Sequence, residues 1–324
     1  MSQLSLWRQL THAAALLQSG HPVAMPTETV YGLAAPIDNP QAIEKIFTLK
    51  ERPFFDPLIV HVSRIEDVRL VAKDLCGAAR ALGNAFWPGP LTLVLPRRDD
   101  LNPMICAGLD TVGVRIPNHP LARRLIRKAG PLAAPSANKF GKTSPTTVQH
   151  VRAEWSEADL FALEGAQSTI GIESTVIRVN ESHENVRVEI LRPGFIGESE
   201  VLKALDGYSK PVEVVRLESN LSPGHTPEHY QPKIPLVFVS EGSFPLSAEQ
   251  VKKVRDHFRL SGVKYAEVLL NANPAVAARE LYSQLHDLAT GGTDFLVVVS
   301  KPHQRGDLWD AIWDRLDRAA SLRV

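Results

Sequence analysis

What most constrains this chain is a rhythm in its first two-thirds. Short apolar runs each end in a polar, turn-forming cluster, and stretches of helical spacing separate them. The runs are "HPVAM" (21–25), "PLIVHV" (57–62), "LTLVLP" (91–96), "VGVRIP" (112–117), "PLAAP" (131–135), "ESTVIRV" (173–179) and "VRVEILRPG" (186–194). Bounded runs this short and rich in Val, Ile and Leu read as strands. "QAIEKIFTLKER" (41–52) and "HPLARRLIRKAG" (119–130) instead bring apolar residues back at intervals of three and four, as a helix does. Strands mixed with helices predict an α/β or α+β domain on a twisted sheet over residues 1–208.

The rhythm then breaks. Residues 209–233 include "ESNLSPGHTPEHYQP", rich in Pro and poor in apolar residues, which predicts an extended linker. From 234 to 324 the order "PLVFVS", "YAEVLLNANP", "AVAARELYSQLHDLAT", "TDFLVVVS", "GDLWDAIWDRLDRAASL" reads strand, strand, helix, strand, helix. This predicts a small doubly wound, Rossmann-like α/β domain. It carries no G-x-G-x-x-G, so no dinucleotide site is assigned to it.

Bulk properties narrow the function classes. The 324 residues suffice for two domains, and 44% hydrophobic content suffices for packed cores. Lys+Arg and Asp+Glu are 36 each, so binding nucleic acid by overall positive charge is disfavoured. Two cysteines, Cys76 and Cys106, build neither a disulfide scaffold nor a Cys-rich zinc module. The amphipathic start "MSQLSLWRQLTHAAALLQSG" lacks the features of a signal peptide, and no apolar run is long enough for a membrane span. The expectation is a cytoplasmic protein with no membrane partner.

The chemistry-bearing residues cluster at strand ends. "AMPTETVYGLAAP" (24–36) sets Thr27, Glu28, Thr29 and Tyr31 between two apolar runs; a strand, turn and helix cap explain it as well as a ligand site does. Lys50 and Arg52 precede Pro53, either as cations favoured at a helix C-terminus or as a phosphate clamp. His61 is either a satisfied structural residue or a pocket residue. Arg115 sits within an apolar strand and needs an anion, whether an internal carboxylate or a substrate. Thr111 begins the same segment. "PSANKFGKTSPTTVQHV" (135–151) is a polar, Gly-containing loop with Ser136, Asn138, Lys139, Lys142, Thr143 and Ser144, and its helix is expected to restart at Pro145. It is not a Walker loop, and Thr143 or Ser144 serves equally as a helix cap. Ser174 enters a strand and Arg192 leaves one. Cations and hydroxyls predominate, and no Ser–His–Asp, metal-binding or paired-acid motif stands out. Such a site suits binding and aligning a phosphorylated, carboxylated ligand.

Taken in order, "PTETVYGLAA", "KERPFFDPLIVHV", "FWPGPLTLVL", "VGVRIPNHP", "APSANKFGKTSPTTVQHV", "IESTVIRV" and "LRPGFI" resemble the YrdC/Sua5 family of L-threonylcarbamoyladenylate synthases. "SPGHTPEHYQP" and the C-terminal segment resemble the family's longer, Sua5-type form. The resemblance implies a YrdC-like N-terminal domain with a concave pocket. It also implies a reaction in which ATP, bicarbonate and L-threonine give threonylcarbamoyl-AMP and diphosphate. ATP would be a substrate accompanied by Mg²⁺, with no tightly bound cofactor. A separate tRNA threonylcarbamoyltransferase would use the product at adenosine 37 of tRNA. By resemblance, Lys50 and Arg52 hold phosphates as the catalytic pair. Thr111, Ser136, Asn138, Ser144, Arg192 and Tyr230 bind nucleotide. Thr29, His61, Arg115 and Ser174 surround threonine, with Arg115 on its carboxylate. Glu28 receives no role. The linker would act as a lid, although His225 and Pro227 depart from the family's usual Met and aromatic.

Two rivals remain. Hydrogenase-maturation carbamoyl-transfer proteins carry a related module, but beside zinc modules that two cysteines cannot build. A non-enzymatic tRNA-binding factor would use a basic face such as "LARRLIRK" (121–128), which reads equally as a solvated helix surface.

Overall fold

The structure, a computed structural model, describes residues 3–217, 229–240, 244–260 and 263–324. The chain opens with helix α1 (Gln3–Gln18), strands β1 (Val23–Met25) and β2 (Gly32–Pro36), helix α2 (Pro40–Lys50) and strand β3 (Ile59–His61). Helix α3 (Gly77–Phe86), strands β4 (Leu91–Pro96) and β5 (Thr111–Arg115), helix α4 (Pro120–Ala129) and strand β6 (Leu132–Ala133) follow. Next come helix α5 (Val148–Glu154), strands β7 (Phe161–Ala162), β8 (Thr175–Glu181) and β9 (Val186–Arg192), helix α6 (Glu198–Ala204) and strand β10 (Val212–Arg216). These strands form one mixed sheet of ten, in the order β10-β9-β8-β4-β5-β3-β6-β2-β1-β7.

Each face of the sheet is covered because the helices are amphipathic. Ile43, Ile46 and Phe47 of α2 and Ala78 and Leu82 of α3 pack with Leu33, Val60, Leu93 and Val114. Leu10 and Leu17 of α1 and Leu121 and Leu125 of α4 pack with Val23, Met25 and Leu132. In α4 the apolar stripe is buried while Arg124, Arg127 and Lys128 are exposed. The Lys128 ammonium lies 5.8 Å from the centre of the Trp7 ring.

The C-terminal part is a second layered unit. It comprises β11 (Leu236–Val239), α7 (Ala248–Phe258), β12 (Tyr265–Glu267), α8 (Pro274–Ala289), β13 (Phe295–Val299), α9 (Asp307–Ala319) and β14 (Leu322–Arg323). Its sheet runs β12-β13-β11-β14, and all three pairings are parallel. Parallel neighbours need crossovers, which these helices supply.

Three local outcomes differ from the sequence expectation. The helix expected at Pro145 begins at Val148, and Thr147 caps it by accepting from the His150 amide, so neither Thr143 nor Ser144 is the cap. Strand β10 falls within the stretch 209–233 read as linker and pairs with β9 at the sheet edge. Helix α7 was absent from the sequence reading. The "SPGHTPE" portion of the linker, with His225 and Pro227, lies outside the described residues.

Candidate active site

A single concavity is lined by Thr27, Thr29, Arg52, His61, Arg115, Ser136, Glu173, Ser174, Arg192, His229 and Tyr230, with Val30, Gly32, Ile59, Ala134 and Pro135 as its apolar wall. Its first side is built by the turn after β1. The Thr27 hydroxyl donates to the Val30 carbonyl (2.6 Å) and accepts from the Thr29 and Val30 amides, each at 3.2 Å. This short-range satisfaction of the backbone replaces a strand ladder and turns the chain sharply. It leaves the Thr29 hydroxyl facing Arg115, whose Nη1 donates to it at 2.8 Å. Arg115 Nη2 meets Glu28 Oε1 at 2.7 Å, and both side chains are 5% exposed. Of the two anions open to Arg115 in the sequence, the internal one is therefore present, and it is Glu28. With Nε on the Gly89 carbonyl (3.3 Å), at least two of the five guanidinium N–H groups remain uncommitted among the described residues.

His61 ends β3 beside Arg115, to which it is paired in register. Its Nδ1 lies 3.2 Å from the Ile59 carbonyl. A carbonyl only accepts, so Nδ1 carries the proton and Nε2 is an acceptor. Burial, reinforced by the Arg115 charge, pushes His61 down to about 3. It is neutral at any physiological pH.

The second side is built where α2 ends. Asn39 caps the helix start, and Glu51 takes the left-handed conformation (φ 54°) at its end. That reversal turns Lys50 and Arg52 inward. Arg52 lines the pocket and pairs with buried Asp56 at 2.9 Å, while also donating to the Asp56 and Pro57 carbonyls. Lys50 does not line it. Its buried ammonium donates to the carbonyls of Ser136 (2.6 Å) and Asn138. Burial, then repulsion from Arg52, draws Lys50 well below the ordinary lysine value. Asn138 also stays behind the wall, where its amide nitrogen donates to the Lys139 and Lys142 carbonyls (2.7 Å each) and closes the loop. Lys50 and Asn138 thus hold the loop that presents Ser136.

The floor is the entry to β8. Ser174 Oγ lies 2.8 Å from Thr92 Oγ1, and Arg192 donates to both Oγ (3.1 Å) and the carbonyl of Ser174 (3.0 Å). Glu173, which the sequence reading did not single out, lines the pocket beside it. Ser144 donates to Glu173 Oε1 at 2.7 Å, so it supports the floor rather than lining it. Burial would raise the Glu173 carboxyl. Arg315, Arg192 and the Ser144 hydroxyl overcome that and hold it below the usual carboxylate value.

The last wall comes from the linker. Residues 230 and 231 clamp onto the loop: Thr143 donates to the Tyr230 carbonyl (2.9 Å), and the Gln231 amide donates to Gly141 (2.8 Å). Tyr230 is 1% exposed, and its hydroxyl has no hydrogen-bond partner among the described residues. The His229 ring stands 4.2 Å from it.

The structure thus brings Thr29, Arg52, His61, Arg115, Ser136, Ser174, Arg192 and Tyr230 to one cavity. Lys50, Asn138 and Ser144 sit one layer behind. Thr111 pairs with Pro96 at the far end of β5, four residues and about 13 Å along the strand from Arg115. Thr27, Glu28, Glu173 and His229 were not assigned roles from the sequence. An Arg in an apolar strand was the signal for Glu28; no local signal marked Glu173. Among the described residues no group of three or more His, Cys, Asp or Glu side chains could hold a metal ion, and no helix is long and apolar enough to cross a membrane.

Residues 15–194 match the model of the Sua5/YciO/YrdC family, described as telomere recombination. The chain belongs to that family. Residues 189–321 match the C-terminal domain described for threonylcarbamoyl-AMP synthase. Such a synthase from Bacillus subtilis is 37% identical, over 98% of this chain and 94% of its own. One from Pyrococcus abyssi is 33% identical, over 96% and 94%. The crystal structure of P. abyssi Sua5 complexed with L-threonine superposes with a TM-score of 0.82 at 32% identity, covering 98% of this chain and 96% of that one. The Sua5 family's two-part organisation therefore extends along nearly the whole chain.

Proposed function

We propose that the protein is a threonylcarbamoyl-AMP synthase. It joins L-threonine, bicarbonate and ATP into L-threonylcarbamoyladenylate, with release of diphosphate and water. The observation that carries this reading is the polarity of this cavity. One end offers hydroxyls, a neutral imidazole and a braced guanidinium; the other offers Arg52, Arg192 and Ser136. In-line attack on a phosphate demands alignment and charge neutralisation more than a nucleophilic side chain.

At the first end, the free N–H groups of Arg115 take the threonine carboxylate, and Thr29, Ser174 and Nε2 of His61 take its hydroxyl and amine. A neutral His61 matters, since an imidazolium there would repel an ammonium. The amine, once deprotonated, attacks bicarbonate, and loss of water leaves a carbamate. At the second end, Arg52 and Arg192 draw charge from the triphosphate, and Mg²⁺ arrives with that triphosphate as part of the substrate. The carbamate oxygen attacks the α-phosphorus, and the bond to the bridging oxygen breaks as diphosphate leaves. Tyr230, over the nucleotide, excludes water from the adenylate. Lys50 acts through the loop it holds. The product is consumed by a tRNA threonylcarbamoyltransferase acting on adenosine 37, in the cytoplasm.

The test is diphosphate release by purified protein. Release that requires both L-threonine and bicarbonate supports the synthase. Release with neither, or none under any combination from folded protein, overturns it.

A further inference from the structure

None of the described lining residues comes from the C-terminal unit; the last is Tyr230. Yet that unit inserts two side chains directly behind the wall. Tyr282 of α8 donates from its hydroxyl to Glu173 Oε2 at 2.9 Å. Arg315 of α9 meets the same oxygen through Nε at 3.2 Å and donates through Nη1 to the Pro193 carbonyl. The Arg315 side chain is 0% exposed. Both also hold Tyr230: its ring stacks on Tyr282 at 5.9 Å, and the Arg315 guanidinium lies 5.6 Å from its centre. Glu173 is thus pinned by Ser144 from its own domain and by Tyr282 and Arg315 from the other.

We propose that Arg315 and Tyr282 are positioning residues, through which the C-terminal domain sets the nucleotide side of the cavity by fixing Glu173 and Tyr230. The inference rests on the synthase reading of the cavity. Its logic is that of a buried ion pair. A carboxylate taken out of water keeps its charge and orientation only while its partners stay in place. Glu173 is bonded in sequence to Ser174, on which Arg192 rests, so a shift of Glu173 moves both. At the opposite side Val30 packs against this unit, but the polar groups of Thr29, His61 and Arg115 are held separately. Thr29, His61 and Arg115 take the side-chain hydrogen bonds and ion pair described here from within the first domain. Disturbing Arg315 should therefore weaken ATP more than threonine, which feels the shift only through Ser174.

The experiment uses the full chain and three variants, Arg315→Met, Tyr282→Phe and Glu173→Gln, with the double variant Arg315→Met/Glu173→Gln. Diphosphate release gives KM for ATP and for L-threonine, and calorimetric titration gives ATP affinity without turnover. Arg315→Met should weaken ATP by about tenfold or more, with KM for threonine rising by a clearly smaller factor, through Ser174. Tyr282→Phe removes one hydroxyl from an otherwise intact ring and should shift ATP in the same direction by a smaller factor. The double variant should lose less than the product of the two single losses, because much of the Arg315 effect passes through Glu173 and the rest through Tyr230. Equal weakening of both substrates, multiplicative losses in the double variant, or unchanged ATP affinity in Tyr282→Phe and Arg315→Met would overturn the inference. Should Arg315→Met not fold, Tyr282→Phe carries the test. Wild-type protein that neither turns over nor binds ATP would instead defeat the reading of the cavity, and this inference with it.

Discussion

Glu28 and Arg115 form a buried ion pair at 2.7 Å on the wall that we assign to threonine. The pair is asymmetric in its consequences. Arg115→Ala strands a buried carboxylate and should cost about 3–5 kcal/mol of stability, with loss of turnover. Glu28→Gln keeps a hydrogen-bond acceptor of the same size and should cost less, appearing chiefly as a raised KM for threonine. Urea denaturation and diphosphate-release kinetics on the two variants check the contrast.

Lys50 is expected to behave as a brace. Lys50→Met preserves the stem but deletes the donors to the Ser136 and Asn138 carbonyls. Buried carbonyls left without their donor cost about 1–3 kcal/mol each, so the urea midpoint should fall clearly. Activity should fall with it, because Ser136 is no longer held. Unchanged stability with lost activity would mean that the ammonium serves substrate alone.

The pair His150 and His286 joins the two domains, with ring centroids 4.2 Å apart and planes 22° apart. Burial, then the neighbouring His286, pushes His150 down to about 4; burial also lowers His286, against a Ser144 carbonyl contact and Glu154 that favour its charge. In the unfolded chain both titrate near the ordinary value of about 6.5. Between those limits the unfolded state binds more protons, so stability should fall as pH drops from about 6.5 towards 4. Melting temperatures across this window, for wild type and for His150→Phe, check the sign. The variant should show the shallower pH dependence.

Much of this architecture was legible before any coordinates. Period-two and unbroken apolar runs mark β4, β8 and β9, and three-to-four spacing marks α2 and α4, because burial of one face demands those patterns. The cavity residues could be gathered because they lie where such runs stop. What could not be read depends on distance along the chain. Glu173 is held in the wall by Ser144 and, more than a hundred positions away, by Tyr282 and Arg315. Lys50 and Asn138 look like ligands of an anion until the carbonyls they satisfy are seen. Thr111 looked close to Arg115 in sequence, yet an extended strand carries it away at about 3.3 Å per residue. Strand β10 (VEVVR) carries Glu213 and Arg216 out of period-two register and follows a glycine-containing turn, so the sequence hid it.

Gly171 marks one place where the backbones of the two domains touch closely. It has φ +83°, and a Cβ there would lie 2.5 Å from the Arg279 Cα of α8. Gly171→Ala is therefore strained by conformation and blocked by backbone that cannot yield. It should lower the melting temperature and increase cleavage of the interdomain region in limited proteolysis. Gly207→Ala is the control for strain alone, since it has φ +72° with open space around the added carbon.

The apolar cluster behind that contact draws Val30, Ile172 and Tyr230 from one side and Leu281, Tyr282, Ile312 and Leu316 from the other. Residues that fill one space in this way cannot drift separately. An enlargement at Ile172 is tolerable only alongside a trimming on α8 or α9, as volume conservation in packed interiors requires. Across a lineage, the two halves of this chain should therefore carry correlated substitutions and be inherited as a matched set. Grafting the C-terminal half of one such protein onto the first half of another should fail unless these facing positions travel together.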